Sequence, residues 1–394
     1  MKCISNSLGA LAPRYPIENL CIPKQTLFID IETTGLYAKS SSLYLIGCIY
    51  YNTQEQSPAW YSIQWFATNY EDEENVLRAF ADFASDYRYL IHFNGNQFDI
   101  PYLEKKMEQY HISCDLSRFE GIDIYRRIAP YKNFMKLPNC KQKTIEGFLH
   151  TEREDVYSGG ELIDIYHEYV LTHDPEKEHF LLLHNEEDIK GMLDIIAALA
   201  IPDLIHNPVK VTKVQANYYN DIHQQRCPEI IMNLKFPVPL PADITCSANS
   251  CYFIGSDNEG KLRVPIYEEE MKYFYSNYKD YYYLPQEDIA IHKSVAGFVD
   301  KEFRQQALAS NCYTRKVSSY LPQWDTLFTP FFKREYKDHD LFFELTDEFK
   351  TRREDFNRYA HHILEMIASQ CWYIKKRYCY IFVAIPLLFH SILL

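Results

Sequence analysis

The stretch TLFIDIETTGLY, residues 26–37, places two acids one residue apart in an otherwise apolar run. The run predicts a β-strand, in which alternate side chains share a face, so Asp30 and Glu32 point the same way. Two carboxylates held together away from water repel each other and raise each other's pKa unless a cation lies between them. An isolated pair of this kind is also found at strand ends where both acids reach solvent. The rest of the chain must decide between a cation site and a solvated strand end.

The first half of the chain alternates between strand-like and helix-like patterns, judged by residue type and by the spacing of apolar side chains. The predicted strands are 27–31, 43–50, 59–66, 89–94 and 122–125. The predicted helices lie within 71–87 and at about 98–110, 141–150, 161–171 and 176–200. Pro202 and Pro208 then mark the end of this run. The order of elements predicts an α/β domain at 20–202.

The second half has a different pattern. Residues 209–284 are rich in predicted strands, including a hairpin that turns at Asp257 to Gly260, and helices are predicted at about 286–310 and 346–369. We therefore expect an α+β accessory domain at 203–370.

Two more segments carry acids where a fold of this class uses them. Asp99, in HFNGNQFDIPYL, follows a predicted strand and opens a helix, so it projects from the end of the sheet. Asp188, in HNEEDIKGMLDI, lies one helical turn after His184, which puts the two side chains on one face. Taken singly, the first is typical of a capping charge and the second of a surface pair.

In this order, DIETTGL, NGNQFDIPYL and HNEEDI resemble the three exonuclease motifs of the DEDD superfamily, 3′ to 5′ exonucleases with a ribonuclease H-like fold. The second motif resembles most closely the proofreading domains of family B DNA polymerases. The first half as a whole, including LPNCKQKTIEGF and YSGGELIDIYHEY, is similar to the YprB-like group of stand-alone predicted exonucleases. The resemblance covers about residues 24–200 and implies a ribonuclease H-like mixed sheet flanked by helices.

The resemblance also implies a site. Asp30, Glu32, Asp99 and Asp188 would hold two Mg²⁺ or Mn²⁺ ions, which activate a water and stabilise the leaving oxygen of a phosphodiester. The substrate would be nucleic acid, as a single strand or a 3′ end. Residues implied to contact its terminal nucleotide are Thr33, Thr34, Gly35, Leu36 and Asn94.

His184 departs from the family pattern. The family's general base before the last acid is a Tyr four residues earlier or a His five residues earlier, whereas here a His stands four residues before Asp188. An imidazole can still orient or deprotonate a water. We therefore predict a catalytic role for His184, with a core or surface residue as the alternative.

Charge and cysteine content set further limits. Residues 1–200 carry 18 Lys+Arg against 30 Asp+Glu, so most of the net charge of −13 lies in the predicted nuclease half. An acidic half is not typical of a nucleic-acid binder, but a carboxylate metal site produces the same signature.

Eleven cysteines and an N-terminus with no leader-like apolar segment favour reduced thiols and a cytoplasmic location. A metal site made by Cys227, Cys246, Cys251 and Cys312 is a weaker alternative, because their spacing fits no common zinc pattern.

Two features of the second half leave further alternatives open. Residues 252–283 combine many tyrosines with Lys and Arg, a pattern that suits single-stranded nucleic acid but also ordinary strands. The tail at 371–394 ends in an apolar run, 378–394, at the short limit for a membrane span, so a membrane-tethered adaptor is one rival function. The other rival is a nucleic-acid-binding protein on a catalytically silent nuclease fold.

Overall fold

The computed structural model describes residues 1–53, 58–155, 157–221 and 223–381, with side chains as far as residue 370. The chain forms two compact units. Unit 1 comprises Met1–Asp203 together with Leu240–Ala242, and unit 2 comprises Leu204–Pro239 and the chain from Asp243 onward.

Unit 1 is built on one six-stranded mixed sheet. Its strands are β1 (Lys2–Ser7), β2 (Thr26–Thr33), β3 (Leu43–Asn52), β4 (Ala59–Phe66), β5 (Tyr89–His92) and β6 (Glu120–Asp123). They lie in the order β1-β4-β3-β2-β5-β6. Pairing is antiparallel from β1 to β2 and parallel from β2 to β6. This arrangement confirms the ribonuclease H-like sheet predicted from the sequence.

The helices of unit 1 are α1 (Glu73–Ala84), α2 (Asp99–Gln109), α3 (Ile124–Ile128), α4 (Gln142–Phe148), α5 (Gly159–Thr172) and α6 (Pro175–Ile195), and α7 (Ala200–His206) leads out of it. α6 packs across β2, β3 and β4, while α1 packs on β3 and β4. One buried cluster joins apolar side chains of β2 and β3 to those of α1, α2 and α5. Leu181 of α6 also belongs to this cluster, which fixes the long helix against the central strand β2.

Two features of unit 1 differ from the sequence prediction. β1 was not predicted because its residues, KCISNS, are largely polar and exposed, and it is held as an edge strand by backbone pairing with β4. Pro202 was expected to end the helical run, but it lies in the first turn of α7. Proline is tolerated there because the first N–H groups of a helix have no partner within it.

Unit 2 contains three sheets. β7 (Lys210–Asn220), β8 (Arg226–Lys235), β9 (Ile244–Ala248), β10 (Cys251–Ser256) and β11 (Glu259–Pro265) form an antiparallel sheet in the order β7-β8-β11-β10-β9. β12 (Tyr267–Phe274), β16 (Tyr313–Gln323), β17 (Phe331–Phe332) and β18 (Leu341–Glu344) form the second. β13 (Tyr281–Leu284), β14 (Ile289–His292) and β15 (Gln305–Gln306) form the third. Two helices, α8 (Asp347–Thr351) and α9 (Arg353–Ile381), follow, so this part is α+β as predicted.

The hairpin predicted at Asp257 to Gly260 is present as β10 and β11, with Ser256 paired to Glu259. The helix predicted at 286–310 is wrong. That segment forms β14, two short 3-10 turns and β15, because its residues pair with β13 through the backbone. The helix predicted at 346–369 is found as α8 and α9.

The predicted apolar tail at 371–394 falls partly within α9, and its residues 382–394 lie outside the described part of the chain. Within the part that the structure describes, none of the helices combines the length and apolar character that crossing a bilayer requires.

Candidate active site

Asp30 lies on the central strand, where a glycine on the neighbouring strand makes room for its partner. Gly47 of β3 is paired with Asp30. The buried Asn185 of α6 fits over this glycine and donates a hydrogen bond of 2.9 Å to Asp30 Oδ2. A Cβ atom on Gly47 would lie only 2.0 Å from Asn185 Oδ1. Gln64 in turn donates to Asn185 Oδ1 at 2.9 Å, so a chain of amides fixes the Asp30 carboxylate.

Glu32 and Asp99 approach the site from two elements. Glu32 stands at the end of β2, next to an irregularity in the strand register between Glu32 and Thr33. Asp99 is the first residue of α2, and its Oδ1 atom accepts a hydrogen bond of 3.3 Å from the backbone N–H of Ile31. The backbone of β2 therefore ties Asp99 to the strand that carries Asp30 and Glu32.

Asp188 and His184 come from α6, one turn apart. The Nε2 atom of His184 lies 3.4 Å from Asp188 Oδ2 and 3.6 Å from Glu32 Oε1. The ligand atoms of these three residues all lie within 4.8 Å of one another. Among the described residues, this is the one group of three or more His, Cys, Asp or Glu side chains arranged to hold a metal ion. The alternative cysteine site is therefore not formed there.

Electrostatics joins the four carboxylates into one cluster. Burial raises the pKa of Asp30 well above its usual range, and the carboxylates of Asp188, Glu32 and Asp99 add to the shift. Burial likewise raises the pKa of Glu32, with further contributions from Asp188 and Asp99. Asp99 follows the same pattern: burial raises its pKa to about 7, although the backbone hydrogen bonds it accepts oppose the shift. A metal-free cluster of this kind binds protons, whereas divalent cations would stabilise its ionised form.

The donor set fits the ions that the fold implies. Mg²⁺ and Mn²⁺ prefer oxygen ligands, and four converging carboxylates provide both the oxygens and the compensating charge. The structure places Glu32, His184 and Asp188 within ligand distance of one another, and the carboxylates of Asp30 and Asp99 within electrostatic range of this group. That the four acids share a metal pair and act in catalysis stays a prediction.

Asp155 is a member of the site that the sequence analysis missed. Its Oδ2 atom lies 2.8 Å from Nδ1 of His184. Lys143 and the backbone N–H of Tyr157 also donate to this carboxylate, each at 3.0 Å. Burial acts to raise the pKa of Asp155, but these hydrogen bonds outweigh it and hold the pKa below its ordinary value. An ionised Asp155 accepts from Nδ1–H of the imidazole, which leaves Nε2 facing Glu32 and Asp188.

Arg153 is a second residue that was missed. Its guanidinium lies between Glu146 and Asp188, and its Nη2 atom is 2.5 Å from Asp188 Oδ1. Its Nη1 atom is buried and has no hydrogen-bond partner among the described residues. Glu146 fits against Gly191 of α6, where a Cβ atom would lie 2.1 Å from Glu146 Oε1. Arg153 therefore holds the Asp188 carboxylate through Oδ1, whereas Oδ2 faces His184.

The loop after β2 holds the predicted substrate contacts. Thr34 is locked to Ser42 by two hydrogen bonds of 2.8 Å, one from each backbone N–H, and Ser41 donates to the carbonyl of Gly35. Leu36 projects into solvent, with 76% of its surface exposed. Beside it is an open groove of about 350 Å³, lined by Leu36, Tyr37, Ala38, Lys39, Gln97, Phe98, Pro101, Tyr102 and Lys105. An exposed apolar side chain beside an apolar groove suits contact with a nucleobase.

Asn94 occupies the turn between β5 and α2 in the left-handed conformation, with φ of 63°. Its backbone N–H donates to Asp123 Oδ1 at 3.0 Å. The side-chain Oδ1 of Asn94 and the Oδ2 of Asp123 are both buried, and neither has a hydrogen-bond partner among the described residues. A buried acceptor without a partner is costly and marks a place where a donor is expected. This is compatible with the predicted role of Asn94 in substrate binding, which stays a prediction.

Comparison with known proteins gave one match to a family model. Residues 27–200 match the sequence model of the family described as the RNase_H superfamily. A search of curated proteins gave no match. Among solved structures, the chain is similar to E. coli exonuclease I in complex with a dT13 oligonucleotide, with 10% identity, a TM-score of 0.26 and coverage of 53% of this chain and 54% of that one.

Two further structures give similar values, each covering 53% of this chain and 54% of the other. They are the zinc-bound E. coli ExoI–ssDNA complex, at 11% identity and a TM-score of 0.26, and the ExoI/SSB-Ct complex, at 11% and 0.25. The chain thus aligns with about half the length of exonuclease I. The family match and the mixed sheet together support an RNase H-like domain at residues 27–200.

Proposed function

We propose that the chain is a two-metal-ion 3′ to 5′ exonuclease that hydrolyses phosphodiester bonds of DNA or RNA from a 3′ end. The observation that carries the proposal is the convergence of the Asp30, Glu32, Asp99 and Asp188 carboxylates, with His184 Nε2 within 3.6 Å of two of them. The order of these residues along the chain, and their resemblance to the DEDD motifs, support the 3′ to 5′ direction.

The four carboxylates would hold two Mg²⁺ or Mn²⁺ ions. Such a pair, when bound, supplies a nucleophilic water near neutral pH and neutralises the charge that develops on the leaving oxygen. His184 Nε2 accepts the proton of the attacking water, and Asp155 keeps the other nitrogen protonated so that Nε2 is the free base. Arg153 holds Asp188 in place and keeps one buried N–H group available for an anionic oxygen.

The chain's own surface would position the substrate. Leu36 and the neighbouring groove contact the terminal base, while the locked loop at Thr33–Gly35 holds the backbone conformation that presents Leu36. Asn94 Oδ1 would accept a hydrogen bond from the substrate, since it has none from the described residues.

End-labelled oligonucleotides test the direction and the substrate class. With a 5′ label and Mg²⁺ or Mn²⁺, a 3′ to 5′ exonuclease produces a ladder of gradually shorter labelled strands. With a 3′ label, it releases labelled mononucleotide at once. DNA and RNA versions of one sequence distinguish the two substrates. Internal cleavage, or no cleavage with either ion and either nucleic acid, would overturn the proposal.

A further inference from the structure

The five-stranded sheet of unit 2 has one buried face and one open face. Along β10, buried and exposed residues alternate strictly, and the buried Cys251 and Phe253 face the side on which α9 packs. Tyr252 and Ile254 point the other way, and each has 49% of its surface exposed. Cross-strand pairing places the charged side chains of Lys210, Lys213, Lys235, Lys261, Arg263, Glu229 and Glu259 on the same side as Tyr252.

The open face is positively charged, although the chain as a whole carries −13. Its strands present four lysines and one arginine against two glutamates, which gives +3 from five minus two. Lys213, Lys235 and Lys261 are exposed and have no ion-pair partner among the described residues. Their charge is therefore available to an anionic partner.

An aromatic and cationic group lies within this face. The guanidinium of Arg263 lies 5.9 Å from the ring centres of both Tyr219 and Tyr252. Glu229 holds it from below, with Arg263 Nη2 to Glu229 Oε1 at 2.9 Å. Tyr252 is thus supported on one side by a fixed arginine while half of its surface stays in solvent. An exposed tyrosine beside lysines is the combination that binds single-stranded nucleic acid, through stacked bases and phosphate contacts.

Other tyrosines of the 252–283 stretch have different partners, so the stretch does not form one surface. Tyr275 and Tyr281 stack on each other with ring centres 4.8 Å apart, and Tyr273 packs against Phe332.

A second copy of the chain is a poor partner for the open face, because an isologous contact would place the positive charge of one face on the same charge of the other.

We propose that the open face binds single-stranded nucleic acid, with phosphates at Lys213, Lys235 and Lys261 and a base stacked on Tyr252. The choice of partner rests on the proposed function, since a nuclease that removes nucleotides from an end benefits from a second binding site for the same strand. The binding itself requires no metal, so it can be tested apart from catalysis.

The test is fluorescence anisotropy of the full chain in EDTA with labelled oligo(dT) and oligo(U) at several salt concentrations. The triple variant Lys213→Gln/Lys235→Gln/Lys261→Gln should lower the slope of log K against log[salt] by about 2, because three phosphate contacts are lost. The matched control is Lys279→Gln/Lys301→Gln/Lys337→Gln, which removes the same charge from exposed positions outside this sheet and should leave the slope nearly unchanged.

Tyr252 gives the second arm. Tyr252→Ala should weaken binding by about 5- to 100-fold through loss of one stacked base, while Tyr252→Phe keeps the ring and should bind nearly as the wild type does. Melting temperatures of all variants show whether they are folded. Equal loss in the control triple, unchanged affinity in both the Tyr252→Ala and the lysine variants, or equally tight binding of duplex DNA or polyglutamate would overturn the proposal.

The two proposals fail in different ways. A chain that cleaves oligonucleotides in Mg²⁺ but binds them equally well in all open-face variants overturns only this inference. A chain that binds through the open face but never cleaves overturns only the proposed exonuclease.

Discussion

The Nδ1 atom of His184 lies 2.8 Å from the Asp155 carboxylate, and its Nε2 atom faces Glu32 and Asp188 at 3.6 and 3.4 Å. The imidazole thus joins a structural acid on one side to the candidate metal ligands on the other. An acid that accepts from one ring nitrogen determines which nitrogen is free to act as a base.

Replacing Asp155 with Asn should slow cleavage, because an amide can donate to Nδ1 and favour the wrong tautomer of His184. We expect the rate at saturating substrate to fall by about 10- to 100-fold, the range for losing a residue that orients a functional histidine. Asp164→Asn, an exposed aspartate on α5, makes the same chemical change away from the site and should cleave normally. If Asp155→Asn matches that control, Asp155 has no part in orienting His184.

His184 itself should act as a base and not as an essential ligand. His184→Ala should then lower the cleavage rate by about 10²- to 10⁴-fold while the Kd for Mn²⁺ stays within a few-fold of wild type. His184→Tyr should recover part of the rate, because it restores the pattern of the tyrosine branch of the DEDD enzymes. Metal titration followed by calorimetry checks the first part. A large rise in the Kd of His184→Ala would instead make the imidazole a metal ligand.

Gly47 should tolerate no side chain. In Gly47→Ala the new Cβ atom would collide with Asn185 Oδ1, so either the strand or the amide that holds Asp30 must move. We expect a loss of about 1–3 kcal/mol in the free energy of unfolding. Gly147→Ala is the control, because Gly147 is an exposed position of α4 where a Cβ atom meets nothing within 4 Å, and it should be neutral or slightly stabilising. Chemical denaturation of both variants measures the difference, and equal stability would show that Asn185 relaxes freely.

Metal-free protein should lose stability as the pH rises from about 4 to about 7. The pKa of Asp99 is raised from 3.8 to about 7 by burial, so in this window the folded state binds more protons than the unfolded state. Stability must then fall with rising pH. The raised pKa values of Asp30 and Glu32 act in the same direction. Melting temperatures in EDTA at each pH should show a smaller decline for Asp99→Asn than for the exposed control Asp82→Asn. A decline of the same size in both variants would contradict the assignment.

Most of unit 1 could be predicted from the sequence because its signals are local. The alternation around Asp30 and Glu32 marked β2, and the apolar spacing of Val76, Leu77 and Phe80 marked α1. β1 could not be predicted in the same way, because its exposed polar residues carry no pattern and it exists through pairing with β4. The helix prediction for 286–310 was wrong for a related reason, since the strands of this segment depend on pairing with β13.

The predictability of the site divides in a similar way. The four acids were found because the segments DIETTGL, NGNQFDIPYL and HNEEDI, taken in order, resemble the DEDD motifs. Arg153 and Asp155 were not, because in TEREDVY they look like a solvated charged run and only the fold brings them against α6. Asn185 stands next to His184 in the sequence, which is only a weak indication of a role in the site. Its hydrogen bond to Asp30 depends on the space left by the absent side chain of Gly47, which is distant in sequence.

Asp30→Asn tests the central claim, that the carboxylate cluster is a metal-dependent nuclease centre. Without metal the variant should be folded and at least as thermally stable as wild type, because one of the repelling buried charges is gone. With Mg²⁺ or Mn²⁺ it should gain less stability than wild type, since stabilisation by a ligand follows its affinity for the folded state.

The most direct measurement is the rate of oligonucleotide shortening as Mn²⁺ or Mg²⁺ is titrated, for wild type, Asp30→Asn and the surface control Asp82→Asn. Wild type and Asp82→Asn should show the same metal-dependent rise in rate, and Asp30→Asn should show no cleavage above background at any metal concentration. Metal-dependent cleavage by Asp30→Asn at the wild-type rate, or no cleavage by wild type with either ion, would contradict the account.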